Sequence, residues 1–553
     1  MRKTKEALHI CKRLIALLGS LKYMLFLAVL FGASGNLMAT ALTSYGAYGL
    51  AQLLQKAQIS FAHFALILFG LTVVRSLMRY LEQLANHYVA FKTLHIIRDK
   101  VFQALRRLSP AKLDGKNKGE LISLVTTDIE LLEVFYAHTI SPVLIALVHT
   151  AVLFFFLLQI HLYYALLLLF FHLLMAVFVP WISSKSTRNV GKQQRESLSA
   201  LNSLILDTFS GIKECIQYAY GSERLQRINN KTDELNQDSK RLSQIAGSNM
   251  SISMATVLAA NLCVLLLSAL LLQNDFVSLG NALIAITLLM SSFGPTSALA
   301  SLVNNLIITF SCGRRVLDLL DEEPIVEDIA GKADLSFQSM DVDGLTFAYM
   351  DENIVLEDIS FSLRKGEILG VEGKSGAGKS TLLKLLMRFF RPNKGSIRIN
   401  GIDIEDINTA SLRTNQSYVS QSTYLFMGTV LENIRLAKQS ASLEEVKDAC
   451  KKALIHEFIE SLPKGYDTPL DSIVNVLSTG ETQRIGLARA FLSEAPMMIL
   501  DEPSSNIDSL NEGLVLKSLY VQSKDKAMII VSHRKSTLRI ANKRLSIVCE
   551  SES

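Results

Sequence analysis

Nine consecutive residues, Gly373-Lys374-Ser375-Gly376-Ala377-Gly378-Lys379-Ser380-Thr381, have the types and spacing to hold a polyphosphate. They fit G-x-x-x-x-G-K-[ST], the P-loop. The glycines let backbone N–H groups wrap phosphate oxygens, and a helix starting there adds positive potential. In such a loop Lys379 reaches the β- and γ-phosphates and Ser380 binds Mg²⁺. The motif needs a strand before it and a helix after it. Ile368-Leu369-Gly370-Val371 reads as the strand and Leu382-Leu383-Lys384-Leu385-Leu386 as the helix. A glycine-rich turn is the competing reading, and these flanks argue against it.

The elements around that loop divide the chain. Its 553 residues are 49% hydrophobic and 19% charged, against about 25% charged in soluble proteins. The mean hydropathy is +0.29, with the apolar excess in the first three-fifths. A membrane half followed by a soluble half accounts for both. The net charge of +5 fits basic cytoplasmic loops, and no basic–aromatic cluster points to nucleic acid. The six cysteines (11, 215, 263, 312, 450 and 549) have no CxxC spacing, which argues against a zinc site or a disulfide framework. The first apolar segment is too long for a cleavable signal peptide and lacks its cleavage pattern.

Residues 1–21, with Arg2, Lys3, Lys5, Lys12 and Arg13, read as an interfacial elbow helix or a frayed leader. Six segments then suffice to cross a hydrocarbon core of about 30 Å. They are Lys22–Leu50, Phe61–Leu81, Phe135–Leu158, Leu162–Ile182, Gly247–Gln273 and Phe276–Phe310. The short gaps between them hold a single basic residue, Lys56, whereas the stretches 92–133 and 185–241 are rich in Lys and Arg. By the positive-inside rule both chain ends and both long loops are cytoplasmic. Helical spacing of apolar residues continues into both loops, with breaks at Pro110 to Gly119 and around Tyr220-Gly221-Ser222-Glu223. Short cross-helices are expected at those breaks. Residues 22–321 thus form the membrane domain and 322–339 a linker. From Met340 on, alternating strand and helix signals with a P-loop indicate an α/β domain with a largely parallel sheet.

Six spans, two long basic loops and a C-terminal P-loop ATPase resemble one half of an ABC exporter. The resemblance implies a six-helix membrane bundle of the type I exporter fold, followed by an α/β P-loop ATPase domain over 340–553. It covers nearly the whole chain, and its ATPase motifs stand in the family's order. Tyr349 takes the position of the aromatic that stacks on adenine. Gln421 matches the Q-loop residue that senses Mg²⁺. Leu477-Ser478-Thr479-Gly480-Glu481 stands at the signature, Met498-Ile499-Leu500-Asp501-Glu502 at Walker B, Asp508 at the end of the D-loop, and His533 at the switch histidine. The types suit the chemistry. Asp501 can hold the Mg²⁺ shell, Glu502 can orient and polarise the attacking water, and His533 can hydrogen-bond the γ-phosphate. Singly, each has a bland reading as a solvated turn or surface residue; their ordered recurrence is what argues for function.

The resemblance further implies a dimer, with Ser478 and Gly480 of one chain facing the γ-phosphate held by the other, and ATP and Mg²⁺ as ligands. Three departures bear on it. Thr479 replaces a signature glycine, with less backbone freedom and more bulk. Residues 470–476 lack the family's Gly-Glu-Arg-Gly-like stretch. The sequence given stops at Ser553, so the C-terminal strand and helix of the family are expected to be missing. The first two imply a weak composite site at this chain's signature and favour a heterodimer, with a homodimer as the alternative. Arg106-Arg107-Leu108-Ser109-Pro110-Ala111, Gly119-Glu120-Leu121, Asp128, Ile140-Ser141-Pro142 and the run from Arg75 to Glu82 are similar to the CydC-type half of bacterial thiol exporters. That likeness implies the bacterial inner membrane and export of cysteine or glutathione. The rival expectations are a homodimeric multidrug, lipid or peptide exporter, and a regulatory half that binds ATP but hydrolyses little.

Within the spans, Arg75 and Arg79 are spaced i, i+4 on one helix face, about 20 Å deep for Arg75. Either can pair with a small carboxylate substrate; an ion pair with Glu82 or snorkelling is the structural alternative. His149, His161 and His172 read as hydrogen-bonded structural histidines before metal or haem ligands.

Overall fold

Apolar runs too long for a soluble core become helices, because a bilayer leaves the backbone no partner except itself. The computed structural model describes residues 2–54, 60–114, 118–349, 353–470 and 477–547. The chain divides into two units, Met1–Leu105 with Lys116–Glu322, and Arg106–Gly115 with Glu323–Ser553.

In the first unit, α1 (Arg2–Leu17) is followed by α2 (Lys22–Leu54), α3 (Phe61–Leu108), a run of short helical segments from Lys118 to Ile140 that leads directly into α4 (Ser141–Ile160), then α5 (Leu162–Leu173), α6 (Val179–Ser210), α7 (Ile212–Gln217), α8 (Gly221–Gln273), α9 (Leu279–Ser291) and α10 (Gly294–Asp321). Six helical stretches among the described residues are long and apolar enough to cross a membrane. The bundle core is made of Leu153 and Leu157 from α4, Tyr164 and Leu168 from α5, Ala260 and Val264 from α8, and Ala282, Ala285 and Leu289 from α9. Fully buried alanines let these backbones approach closely, which is how helices pack without a hydrophobic drive between them. The Tyr164 hydroxyl donates to Ser268 Oγ at 2.8 Å, tying α5 to α8. Outward positions such as Phe155, Phe170 and Leu266 are exposed apolar side chains, as a lipid-facing surface requires.

Residues 2–17 form a helix whose Leu14 is fully buried. Leu14 O accepts from the Tyr136 hydroxyl at 2.9 Å, and Arg13 forms a two-pronged ion pair with Asp321. The long loops carry their helices onward, as α3 and α8 show with 48 and 53 residues. At the first break residues 109–114 form turns, residues 115–117 lie outside the described residues, and a short helix follows at Lys118–Ser123; the second break holds a short helix, the six-residue α7, just before Tyr218–Tyr220. The expected sixth span, Phe276–Phe310, is also interrupted: α9 ends at Ser291, and α10 restarts with Pro295 in its first turn. Proline lacks the N–H that an unbroken helix would need there.

The second unit holds two larger sheets. An antiparallel sheet contains β1 (Ser339–Tyr349), β2 (Asn353–Arg364), β4 (Lys394–Ile399) and β5 (Ile402–Asp403), in the order β2-β1-β4-β5. A parallel sheet contains β3 (Ile368–Gly373), β6 (Gln416–Val419), β7 (Met497–Asp501), β8 (Ala527–Val531) and β9 (Lys543–Ile547), in the order β9-β3-β8-β7-β6. Its inner strands are buried on both faces, with Met497 and Ile499 in one core and Met498 and Leu500 in the other. That explains why they read as unbroken apolar runs. The C-terminal strand expected to be missing is present as β9, paired parallel with β3 from Lys543 to Ile547. Its polar residues (Lys543, Arg544, Ser546) sit at a sheet edge, so it lacks the apolar run that marks β7 and β8. Residues 106–114 belong to this unit: Ala111 packs on its core and Asp114 pairs with Lys384.

Candidate functional site

The strand order gathers the chemistry-bearing residues. β3, β8, β7 and β6 are neighbours and run the same way, so the loops after them emerge together. Ligands of open parallel sheets bind at such carboxyl ends. These loops carry, in that spatial order, the P-loop, His533, Asp501-Glu502 and Gln421.

The P-loop runs from β3 into α11 (Lys379–Leu386), an eight-residue helix. Gly378 caps it at φ +87°, and a Cβ there would lie 2.8 Å from Val355 O. Only glycine fits both constraints. Lys379 Nζ donates to Gly373 O and Lys374 O, both at 2.8 Å, and its side chain is buried. This holds the ammonium against the loop, with Ser375, Gly376 and Ala377 between its ends.

Ser380 Oγ donates to Asp501 Oδ2 at 2.8 Å. Burial pushes the Asp501 carboxyl above its ordinary value and the Glu502 carboxylate pushes the same way, against that hydrogen bond. The Ser380 hydroxyl and the Asp501 carboxyl set two hard oxygens side by side, a donor pair that fits Mg²⁺, a cation that prefers carboxylate, hydroxyl and phosphate oxygens. Among the described residues no group of three His, Cys, Asp or Glu side chains could hold a metal ion, and the buried His149, expected to be hydrogen-bonded, has no hydrogen-bond partner on either ring nitrogen. His172 is hydrogen-bonded to Thr150 and Ser292.

Glu502 leaves β7 at φ +48°, an unusual backbone for a non-glycine residue. Its N–H bonds Val531 O at 2.9 Å. Its carboxylate lies 3.0 Å from His533 Nδ1 and accepts from Gln421 Nε2 at 3.3 Å. A carboxylate held from two sides can position and polarise a water for attack on a phosphate.

Tyr349 closes the far side of α11. Its hydroxyl lies 3.1 Å from Thr381 Oγ1, and its ring stands edge-on to Phe390 with centroids 5.3 Å apart. It is 37% exposed, so one face is free for a base. Base–aromatic stacking contributes about 1–3 kcal/mol. Tyr349→Ala is therefore expected to raise KM for ATP by about 5- to 100-fold with kcat nearly unchanged. Tyr349→Phe keeps the ring and is expected to stay close to wild type. Steady-state kinetics on both variants checks this, and equal KM values for all three proteins would remove the stacking role.

Ser478 and Gly480 head a separate helix, α12 (Thr479–Leu492). Ser478 Oγ accepts the Glu481 N–H at 3.3 Å, and Glu481 Oε2 accepts the Ser478 N–H at 2.6 Å. This reciprocal cap is what Ser-x-x-Glu spacing encodes, and it explains Glu481 locally. The departures expected at residues 471–476 lie outside the described residues.

Two groups absent from the motif reading stand behind the site. Gln483 Nε2 donates to Glu502 O at 2.6 Å, and its Oε1 accepts from Asn506 N at 3.1 Å. Gln483 lies two residues past the signature and one helical turn after Thr479, the only hint the sequence offers. Glu512, on α13 (Ser509–Gln522), accepts from Ser504, Ser536 and Thr537 hydroxyls and from Arg534. Burial raises its carboxyl pKa, but these partners outweigh it and hold the group below its ordinary value. The network joins the loop after Glu502 to the loop after His533. Arg75 and Arg79 lie in the other unit and line a cavity there.

The comparisons agree with this geometry. Residues 25–296 match the ABC transporter transmembrane region, and residues 356–505 match the ABC transporter ATP-binding family. A Haemophilus influenzae protein described as a "Probable ABC transporter ATP-binding/permease protein" is 44% identical over 545 residues, covering 98% of this chain and 99% of that one. An uncharacterised ABC transporter ATP-binding protein of Bacillus subtilis is 30% identical over 492 residues, covering 86% and 79%. In fold, the chain is similar to a bacterial Atm1-family ABC exporter solved with ATP bound, with TM-score 0.82 and 22% identity over 96% of this chain and 94% of that one. The chain belongs to the ABC transporters, as an ATP-hydrolysing exporter half that fuses the membrane-spanning region to the ATP-binding domain and works as a dimer in the membrane.

Proposed function

We propose that this chain exports a small solute from the cytoplasm across the bacterial inner membrane, paired with a second, different half. The observation that carries the pairing is an asymmetry within one ATPase domain. Lys379, Asp501, Glu502, His533 and Gln421 converge on one site, while the signature that must serve the partner's site carries Thr479 at the first turn of α12. A β-branched residue there brings bulk toward an incoming phosphate.

In this reading ATP lies on the P-loop with adenine against Tyr349 and the γ-phosphate near Lys379. Ser380, Asp501 and Gln421 would hold Mg²⁺, which would supply positive charge to stabilise the transferring phosphoryl group. Glu502 orients the water and His533 holds both Glu502 and the γ-phosphate. Ser478 and Gly480 face the partner's nucleotide. The basic loops support a cytoplasmic location for both ends and the ATPase domain. Domain limits of 22–321 and 340–553 follow from the same reading, joined by the linker 322–339. The CydC-like motifs favour a thiol such as cysteine or glutathione as cargo, with Arg75 and Arg79 facing its carboxylate.

Co-purification from native membranes, followed by mass spectrometry of protein and bound small molecules, tests the proposal. A single stoichiometric second half with an intact signature is the expected result. A dimer of this chain alone with robust drug-stimulated ATP hydrolysis would replace it with the homodimeric reading.

A further inference from the structure

A buried amide stitches α12, which carries the signature at its head, to the segment that leaves β7 with the catalytic carboxylate. Gln483 of α12 is 2% exposed. Its Nε2 donates to Glu502 O at 2.6 Å and to Ser505 Oγ at 3.2 Å, and its Oε1 accepts the Asn506 N–H at 3.1 Å. Both amide hydrogens and the amide oxygen are thus spent on residues 502–506. Gly480, one turn earlier on α12, presses on the same segment: a Cβ there would lie 2.7 Å from Asn506 O. Packing this close leaves the first turn of α12 no room to slide past residues 502–506.

That segment begins with a strained residue. Glu502 stands at φ +48°, a costly backbone for a non-glycine residue, which persists only where its surroundings fix it. Its N–H bonds Val531 O at 2.9 Å, and its carbonyl takes the Gln483 amide and, at 3.2 Å, the Ser505 N–H. The direction of the Glu502 carboxylate follows from that backbone. From Ser504 and Ser505 the contacts continue through Glu512 and Arg534 to Thr537, in the loop after His533.

We propose that Gln483 is a positioning residue that aims Glu502 at the attacking water and makes that aim depend on where α12 lies. The head of α12 holds Ser478 and Gly480, so the nucleotide of the other half sets α12, and α12 through Gln483 sets Glu502. Hydrolysis on this chain's P-loop then waits for the second nucleotide. The inference rests on the reading above that Ser478 and Gly480 face that nucleotide.

The test uses the assembled transporter, with the other half (a differently tagged copy in a homodimer) inactivated at its own catalytic position, so that every turnover belongs to Glu502. Gln483→Met keeps the stem length and helix preference of glutamine and removes all three bonds. It is expected to lower kcat by about 10- to 100-fold, as a carboxylate misplaced by about 1 Å implies, with ATP affinity within about twofold of wild type. Gln483→Glu keeps the size and the acceptor for Asn506 N–H and, ionised, removes the donor to Glu502 O; the same split is expected of it. ATP should still raise the melting temperature of both variants, since binding to the native state is retained. The coupling is read by emptying the other half's nucleotide site through a substitution of its P-loop lysine. With Gln483 in place, emptying is expected to cost at least about 10-fold in kcat, and in either variant less than about twofold, a non-additivity that two independent effects do not give. Wild-type kcat in both variants, loss of ATP binding in both, or the same loss on emptying with and without Gln483 overturns the proposal. No loss on emptying in the pair that keeps Gln483 overturns the signature reading instead.

Discussion

Glu502→Gln is expected to lower ATP turnover by about 10²- to 10⁴-fold while leaving nucleotide affinity within about twofold. The side chain is 15% exposed, 3.0 Å from His533 and 3.3 Å from Gln421. Glutamine is nearly the same shape, so the left-handed backbone at Glu502 and the Gln483 bond to its carbonyl survive. What is lost is the carboxylate's ability to take charge from the attacking water. ATPase assays on the assembled transporter, with fluorescent-nucleotide binding alongside, separate the two quantities. Turnover within threefold of wild type would remove Glu502 from the chemistry. A parallel loss of binding would mean that the substitution had deformed the β7–β8 loops.

Lys379→Met is expected to fail earlier, at binding. Lys379 Nζ is bonded to Gly373 O and Lys374 O, each at 2.8 Å, behind a cap that only Gly378 can form. Methionine keeps the stem and removes the charge, leaving two loop carbonyls without their donor. Hydrogen bonds to a charged group are worth about 1.5–3 kcal/mol, so ATP affinity should fall by about 10- to 100-fold and turnover to background. Thermal unfolding with and without ATP supplies the check. Wild type should be stabilised by nucleotide and the variant should not, since only a ligand that binds the native state shifts its melting. Undiminished turnover in this variant would end the account of the site.

Much of this was written locally. Runs of apolar residues and the basic bias of two loops gave six spans, because bilayer thickness and backbone satisfaction set element length directly. The P-loop was legible because a phosphate cradle demands glycine, lysine and serine at fixed offsets on consecutive residues. The reciprocal cap of Ser478 and Glu481 was equally local and went unread. Pro295 likewise carried, in its missing N–H, the break that divides the sixth span.

Other features came only from contacts far apart in sequence. The order β9-β3-β8-β7-β6 joins residues near 371, 419, 501, 531 and 545, and no periodicity specifies which parallel strand lies beside which. That order brings Ser380 to Asp501 and Glu502 to His533 and Gln421. Strand β9 was invisible because an edge strand with polar residues gains its stability from pairing with β3 rather than from its own composition. Glu512 looked like any acidic residue on an amphipathic helix until Ser504, Ser536, Thr537 and Arg534 converged on it. The membrane cavity followed the same rule. The sequence supplied Arg75 and Arg79 on one face, but Gly32 opposite Glu82 depends on helices that meet only in the folded bundle. Spacing along the chain thus fixed what each segment is, and long-range packing decided which segments share a site, since burial and hydrogen bonding act on neighbours in space.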